Sequence, residues 1–156
     1  GNKSEVSVGY STLYGDMCGG FSVVKDIYKS DLYKLSEWRN ENLPSFSAIK
    51  AKEVIPKNII TKEPTAELKE DQKDSDSLPP YDVLDKILYL LVEKESSINE
   101  IISKGYEPSL VTKVQNLLYN SEYKRRQAAP GVKISERNFG YDRRYPITNA
   151  FRDKEK

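Results

Sequence analysis

Residues 80–91 read PYDVLDKILYLL, and this stretch carries the strongest structural signal in the chain. Its apolar side chains recur at intervals of three and four residues, the spacing of a helix that buries one face. Proline is favoured in the first turn of a helix because its missing N–H would have no partner there, so the helix is predicted to begin near Pro80. The pattern predicts an amphipathic helix whose buried face consists of Val83, Leu84, Ile87, Leu88 and Leu91.

Two more helices are predicted after this one. The first runs from Ser97 to Lys104 and stops at Gly105, and the second begins at Ser109. We therefore predict a small helical cluster over residues 80–126, followed by an irregular tail over residues 127–156, where glycine, proline and paired arginines are mixed. The buried face of the last helix is predicted to consist of Leu110, Val111, Val114, Leu117 and Leu118.

Upstream of this cluster the signals are weaker. Ser4 is expected to cap a short helix, and a longer helix is predicted from Ser30 to a stop at Leu43-Pro44. Residues 44–80 contain several prolines and a polar run over residues 67–77, which predicts a long exposed loop. Loops of this length are usually functional or mobile. The apolar residues of the longer helix are Leu32, Tyr33, Leu35 and Trp38.

The composition excludes several chemistries. The 156 residues contain no histidine and one cysteine, which excludes imidazole catalysis, an internal disulfide and a cysteine-based zinc site. A net charge of +1 argues against a general polyanion binder. No apolar run reaches the roughly 18 residues that a membrane span needs, and no signal segment opens the sequence, so we expect a cytoplasmic protein without a membrane partner. Because the first residues lack an initiator methionine, we also expect the sequence to be part of something longer.

Three short motifs allow both a structural and a functional interpretation. Glu5 is suited to the first turn of a helix, and its carboxylate is also suited to Mg²⁺ or a polar ligand. The glycine-rich residues 15–20 form either a turn or a phosphate-binding loop, although the lysine of the usual phosphate-loop motif is missing. Thr65 either caps a turn or offers its hydroxyl to a nucleotide.

Two basic motifs also allow both a structural and a functional interpretation. The cations at residues 124–126 complement the C-terminus of a helix, and three consecutive cations can also bind phosphate. Arg143 and Arg144 stand between Tyr141 and Tyr145, a combination that can bind RNA, but the balanced overall charge makes nucleic acid an unfavoured partner.

Taken together, these strings resemble the C-terminal part of the bacterial glutamine-dependent NAD synthetases. Each string alone is modest, but they occur in the order found in that family and cover nearly the whole chain. They are GNKSE at 1–5, GYSTLYGD at 9–16, WRN at 38–40, PTAEL at 64–68, EYKRRQ at 122–127 and RRYPITN at 143–149.

The resemblance implies a fold and a reaction. The expected fold class is α/β, with this chain as the mostly helical C-terminal portion of an adenine-nucleotide-binding domain of the Rossmann-like ATP pyrophosphatase type. The expected reaction is that of a ligase. ATP adenylates the nicotinate carboxylate of deamido-NAD, and ammonia derived from glutamine then displaces AMP to give NAD.

The resemblance also implies roles for individual residues. Glu5 is expected to contact deamido-NAD or the Mg²⁺ between the substrates, and Lys124 is expected to reach deamido-NAD. Lys29 and Thr65 are expected to bind ATP. No residue of this chain is expected to be catalytic. Residues 44–80 are expected to order over bound substrates.

Parts of the family pattern are missing from the 156 residues. The pyrophosphate-binding Ser-Gly-Gly-x-Asp-Ser loop does not occur, and neither does the glutaminase domain. We therefore expect the chain alone to be inactive and to need the missing N-terminal portion of the same enzyme as a partner. A homo-oligomer is implied by the resemblance. Cys18 is expected to be a small, partly buried thiol and not the glutaminase nucleophile.

Two alternative functions stay open at this point. One is a small helical interaction or RNA-binding module, suggested by the tyrosine- and arginine-rich tail. The other is a different ATP pyrophosphatase that amidates another acid, although the strings at 122–127 and 143–149 weigh against it.

Overall fold

A computed structural model describes residues 1–15, 17–62, 64 and 78–154 of the chain. These residues form seven helices: α1 (Lys3–Val8), α2 (Lys29–Glu41), α3 (Lys57–Thr61), α4 (Tyr81–Val92), α5 (Ile98–Ser103), α6 (Pro108–Asn120) and α7 (Glu122–Arg125). Among the described residues, β-structure is limited to two isolated bridges, Ser22 to Gly131 and Phe139 to Arg143. The described part is therefore mostly helical, as predicted.

The core lies between α4, α5 and α6, with α1 packed against α4 and α6. The predicted faces of α4 and α6 are confirmed because their apolar side chains are buried or partly buried in this core. Each such aliphatic side chain contributes about 1.5–3 kcal/mol through burial. The members with no solvent exposure are Leu84, Ile87, Leu88, Val92, Ile98, Ile101, Val111, Val114 and Leu118.

Helix α2 is confirmed as a helix, but its predicted apolar residues are not part of the core. No residue of α2 is buried, and Leu35 and Trp38 are 47% and 48% exposed. The helix contacts α1, α3 and α4, and Leu32 and Tyr33 are half-buried. Helical spacing predicts the helix correctly, but it does not tell whether another part of the same chain covers the apolar side.

Three local predictions are wrong. Asn2, and not Ser4, caps α1, because the side chain of Asn2 accepts the N–H of Glu5 at 3.0 Å. Helix α6 begins at Pro108 and not at Ser109, and Glu107 caps it because its carboxylate accepts the N–H groups of Ser109 and Leu110. Cys18 is exposed and not partly buried.

The segment between α2 and α4 was predicted as a loop over residues 44–80. The structure describes a short helix within it, α3, and residues 65–77 lie outside the described residues. Within the described ranges, no helix has both the length and the apolar character needed to cross a membrane.

Candidate functional site

The N-terminus of α1 holds the carboxylate of Glu5 in a fixed position. Asn2 and Glu5 form a capping box in which Asn2 Oδ1 accepts the N–H of Glu5 at 3.0 Å and Glu5 Oε2 accepts the N–H of Asn2 at 3.0 Å. This arrangement satisfies two N–H groups that a helix start otherwise leaves unpaired. Because Oε2 is used in this way, Oε1 is the oxygen that remains for other partners.

Lys29, the first residue of α2, supplies that partner. Its Nζ lies 3.0 Å from Glu5 Oε1, and the two side chains are 18% and 20% exposed. The ammonium also lies over the rings of Tyr33 and Tyr81, at 5.7 Å and 5.5 Å from their centres. The fold therefore brings together two predicted site residues that are 24 positions apart in the sequence.

A buried carboxylate from α4 aligns the two helices that carry this pair. Asp85 Oδ1 accepts the hydroxyl of Ser4 at 2.5 Å, and Asp85 Oδ2 accepts the N–H and the hydroxyl of Ser30 at 2.8 Å and 2.7 Å. Burial raises the pKa of Asp85 above its usual value, although the hydrogen bonds from Ser4 and Ser30 act in the opposite direction. The N-termini of α1 and α2 are thus tied to one side chain.

Lys124 lies at the other end of α1. Its Nζ donates to the carbonyl oxygens of Gly9 and Ser11 at 2.7 Å and 2.8 Å. A lysine ammonium carries three protons, so these two bonds leave one N–H for another partner. In this position Lys124 fixes the chain segment that leaves α1.

The other cations of the predicted basic motif do not form a phosphate clamp. Arg125 is buried, pairs with Glu122 Oε2 at 2.9 Å and donates to the carbonyls of Val6 and Ser7 at the end of α1. Burial lowers the pKa of Arg125, and Glu122 acts against this shift. Arg126 pairs with Glu122 Oε1 at 2.9 Å. The structural interpretation, in which these cations complement helix ends, is the one that the geometry favours.

A second buried cluster surrounds Lys3, which the sequence analysis did not single out. The Lys3 side chain is fully buried, lies 3.1 Å from Asp26 Oδ1, and forms an ion pair with Glu93. Its Nζ also donates to the hydroxyl of Ser135 and, at 2.7 Å, to the carbonyl of Arg137. The string GNKSE contained the lysine, but its acidic partners are distant in sequence, so only the fold reveals the cluster.

Asp26 joins this cluster to the tail. Its Oδ2 accepts the N–H groups of Ile134 and Ser135 at 2.7 Å each, and its Oδ1 accepts the hydroxyl of Ser135 at 2.7 Å. Burial acts to raise the pKa of Asp26, but these hydrogen bonds and the charge of Lys3 outweigh burial and lower it. The tail is thereby attached beside the start of α1.

The structure thus brings three of the four predicted site residues to α1. Glu5 and Lys29 are in direct contact, and Lys124 contacts the segment that follows the helix. Thr65 lies outside the described residues. The glycine-rich segment makes turns, and the hydroxyl of the exposed Tyr14 donates to Gln127 at 3.0 Å.

Metal ligands are sparse around the candidate site. Over residues 1–15, 17–62, 64 and 78–154, no group of three or more acidic or cysteine side chains is arranged to hold a metal ion. Glu5 therefore offers one carboxylate. Mg²⁺ commonly binds proteins through one or two carboxylates and completes its shell with water and substrate phosphates, so a single carboxylate beside a cation that can hold phosphate is compatible with it.

The arginine-rich tail engages only some of the residues that suggest RNA binding, because Tyr141 and Arg144 are exposed. Arg143 pairs with Glu95, Arg144 donates to the carbonyl of Gly140 at 2.8 Å, and Tyr145 is buried against Tyr119. Recognition of RNA needs exposed cations and exposed aromatic faces. Because Arg143 and Tyr145 are engaged within the fold and the overall charge is balanced, the RNA-binding alternative is not favoured.

The chain is similar to known proteins over nearly its whole length. A family profile described as NAD synthase matches residues 1–128. The glutamine-dependent NAD(+) synthetase of Xylella fastidiosa (strain 9a5c) is 53% identical over 152 residues, which are 97% of this chain and 27% of that protein. The protein of the same name from Rhodobacter capsulatus is 49% identical over 154 residues, which are 99% of this chain and 28% of that protein.

A solved structure is also similar to this chain. The glutamine-dependent NAD(+) synthetase of Cytophaga hutchinsonii matches with a TM-score of 0.70 at 22% identity, over 96% of this chain and 24% of that chain. At this identity the similarity concerns the fold alone. The chain spans about a quarter of the length of the relatives it matches, 27% and 28% for the two proteins from Xylella fastidiosa and Rhodobacter capsulatus.

Proposed function

Because the chain belongs to the NAD synthase family, we propose that it carries part of the site at which deamido-NAD is amidated to NAD. ATP adenylates the nicotinate carboxylate and releases pyrophosphate, and ammonia from glutamine then displaces AMP. In this proposal the chain is the last, mostly helical part of a Rossmann-like nucleotide-binding domain. The observation that carries the proposal is the contact of 3.0 Å between Lys29 Nζ and Glu5 Oε1.

The Glu5–Lys29 pair suits the charge changes of this reaction. An ionised carboxylate resists amidation because an oxide ion is a poor leaving group, whereas AMP leaves readily from an acyl adenylate. The departing pyrophosphate needs cations that are already in place, because such groups stabilise developing charge without reorganising. Lys29, held by Glu5 and two tyrosine rings, is such a cation.

The other site residues have complementary roles. Lys124 binds deamido-NAD with the N–H that its two carbonyl partners leave over, and Thr65 offers its hydroxyl to ATP. Glu5 contacts deamido-NAD or contributes its carboxylate to Mg²⁺. Bound Mg²⁺ supplies positive charge that neutralises the phosphates of ATP. The proposal places no catalytic acid, base or nucleophile on this chain.

A complementation assay tests this function. The 156-residue chain is mixed with the upstream portion of the Xylella fastidiosa relative, ending where its match to this chain begins. NAD formation is then measured with ATP, Mg²⁺, deamido-NAD and ammonia. We expect no turnover from the chain alone and turnover from the mixture. NAD formation by the chain alone, at a rate near that of full-length relatives, would contradict the proposal, and so would an inactive mixture in which the two parts associate.

Variants of the chain separate the roles of the two lysines. In the active mixture, Lys29→Met is expected to lower kcat/KM roughly a hundredfold, because it removes a cation at the developing charge. Lys124→Met is expected to act mainly through the KM for deamido-NAD. Lys34→Met is the matched control, because Lys34 also lies on α2 and its side chain is 74% exposed. Equal effects of the Lys29 and Lys34 substitutions would exclude Lys29 from the site.

A further inference from the structure

Asp85 contacts neither Glu5 nor Lys29, but it accepts hydrogen bonds from the residue next to each of them in the sequence. Ser4, whose hydroxyl it accepts, precedes Glu5, and Ser30, whose N–H and hydroxyl it accepts, follows Lys29. The Ser4 oxygen in turn accepts the N–H of Lys29 at 2.8 Å. One carboxylate on α4 therefore determines where α1 and α2 begin relative to each other.

We propose that Asp85 is a positioning residue that sets the contact between Glu5 and Lys29 and so presents the Lys29 ammonium to ATP phosphate. The last part of this statement rests on the proposed function. The first part concerns geometry alone, and it can be tested without substrate or turnover.

The chemistry of the contacts requires a carboxylate at this position. All three groups that point at Asp85 are donors, and two oxygens with several lone pairs can accept them together. An asparagine would keep the shape but turn an NH₂ group towards one of those donors. In the part of the chain that the structure describes, none of the ion pairs involves Asp85, although only 5% of the residue is exposed.

A buried carboxylate without a cation in direct contact costs free energy, and an apolar side chain could pack α4 at lower cost. A role in packing alone therefore does not account for Asp85. Alignment of two helix starts does, because hydrogen bonds are directional and apolar contacts are not.

The test measures how fast Lys29 is acylated in the intact 156-residue chain. A short pulse of an acetylating reagent is followed by peptide mass spectrometry, and the rate at Lys29 is divided by the rate at Lys124 in the same sample. This ratio corrects for the dose of reagent, and circular dichroism of each variant shows that it is folded, because global unfolding would expose both lysines. In Asp85→Asn we expect the ratio to rise roughly three- to tenfold, because the ammonium loses its fixed partner. Asp82→Asn, an exposed change on the same helix, is expected to leave the ratio unchanged.

An unchanged ratio in folded Asp85→Asn, or an equal rise in Asp82→Asn, would overturn the proposal even if the melting temperature falls. If Asp85→Asn does not fold, Ser30 decides the question. Ser30→Ala is then expected to raise the ratio about twofold, and Ser30→Thr, which keeps the hydroxyl, is expected to restore it. Equal ratios in the two Ser30 variants would overturn the proposal.

A separate measurement distinguishes failure of the proposed function. In the complemented mixture, ATP is expected to slow acylation of Lys29 in the unsubstituted chain. Absence of this protection would count against ATP binding at Lys29, whereas the ratios measured without ATP would still decide the role of Asp85. An Asp85→Asn mixture in which the KM for ATP rises more than kcat falls would support both statements.

Discussion

Gly9 shows how one residue joins α1 to the segment that Lys124 holds. Its φ of +75° lies in the left-handed region, and its N–H donates to the carbonyl of Glu5. A Cβ at this position would lie 2.4 Å from Ser121 Oγ and 3.1 Å from Ser121 Cβ. The position therefore combines two reasons for glycine, the backbone conformation and the close approach of another helix.

Substitution of two glycines separates these reasons. Gly105 also has a positive φ, +92°, but an added Cβ there would meet nothing within 4 Å. We expect Gly105→Ala to cost about 1 kcal/mol of unfolding free energy through backbone conformation alone. Gly9→Ala is expected to cost about 1–3 kcal/mol more, because Ser121 must also move. Urea denaturation of both variants measures the difference, and equal costs would show that the close approach to Ser121 has no energetic weight.

At this scale the sequence predicted residue types better than contacts. Glu5 was singled out because a carboxylate suits the first turn of a helix and because it ends the string GNKSE. Asp85 was not recognised, because a polar residue between Leu84 and Lys86 is unremarkable in an amphipathic helix. Its partners come from two other helices, and no local pattern indicates them.

The helices whose faces are buried within the chain were the most predictable elements. Helices α4 and α6 follow from apolar periodicity because the chain itself covers their apolar sides. The apolar residues of α2 have the same kind of spacing, but nothing in the described residues buries them. The apolar spacing of a helix reflects what covers that helix in the whole protein. This chain spans about a quarter of the length of its relatives.

The string WRN at 38–40 shows a role that periodicity could not indicate. The Arg39 guanidinium donates to the carbonyls of Asn42, Ile49, Ala51 and Lys52 at 3.0–3.2 Å, and Asn40 Oδ1 accepts the N–H groups of Val54 and Ile55 at 3.0 Å each. These bonds hold the segment after α2 against that helix. The segment has little regular structure, so its conformation depends on two polar side chains that sequence analysis treats as surface residues.

Asp26 makes the attachment of the tail dependent on pH. Its pKa is lower in the folded chain than the ordinary value of 3.8, so the carboxylate stabilises the fold above pH 3.8. This contribution is lost as the pH falls through the folded pKa, because the proton then binds the unfolded chain more tightly.

We therefore expect Asp26→Asn to lower the unfolding free energy by about 1–3 kcal/mol at neutral pH. An asparagine oxygen can still accept the N–H groups of Ile134 and Ser135, but the charge beside Lys3 is gone. Below pH 3.8 the stability of the variant should fall less steeply than that of the unsubstituted chain. Denaturant titrations between about pH 2 and 7 measure this, with Asp82→Asn as an exposed control. Parallel acid limbs for Asp26→Asn and the unsubstituted chain would contradict the assignment.

At the scale of the whole molecule, α1 is the element on which the other parts converge. Its start contacts Asp85 through Ser4, its end accepts bonds from Arg125, and Lys3 points into a cluster with Asp26 and Glu93. A six-residue helix has little stability of its own, so its geometry depends on these charged contacts. The family could be identified from short strings, but this convergence required coordinates, because the contacting residues are separated by up to 134 positions.

Lys3 is the position at which this dependence can be measured. The side chains of Lys3, Asp26 and Glu93 are at most 1% exposed, so removal of the one cation leaves two carboxylates buried without it. Lys3→Met keeps the length of the side chain, and we expect it to cost about 3–5 kcal/mol of unfolding free energy at neutral pH. A second change, Glu93→Gln, removes one of the unpaired charges. The double variant should therefore be more stable than the sum of the two single effects predicts.

Two measurements check this expectation. Denaturant unfolding of the two single variants and the double variant gives the interaction energy. Hydrogen exchange reports on residues 134–137, of which Ile134, Ser135 and Arg137 bond to the cluster. Faster exchange confined to that segment and to α1 in Lys3→Met would locate the effect at the attachment of the tail. A loss of less than about 1 kcal/mol of unfolding free energy, or strictly additive single effects, would contradict this expectation. Burial of an uncompensated charge costs more than that unless water reaches the site.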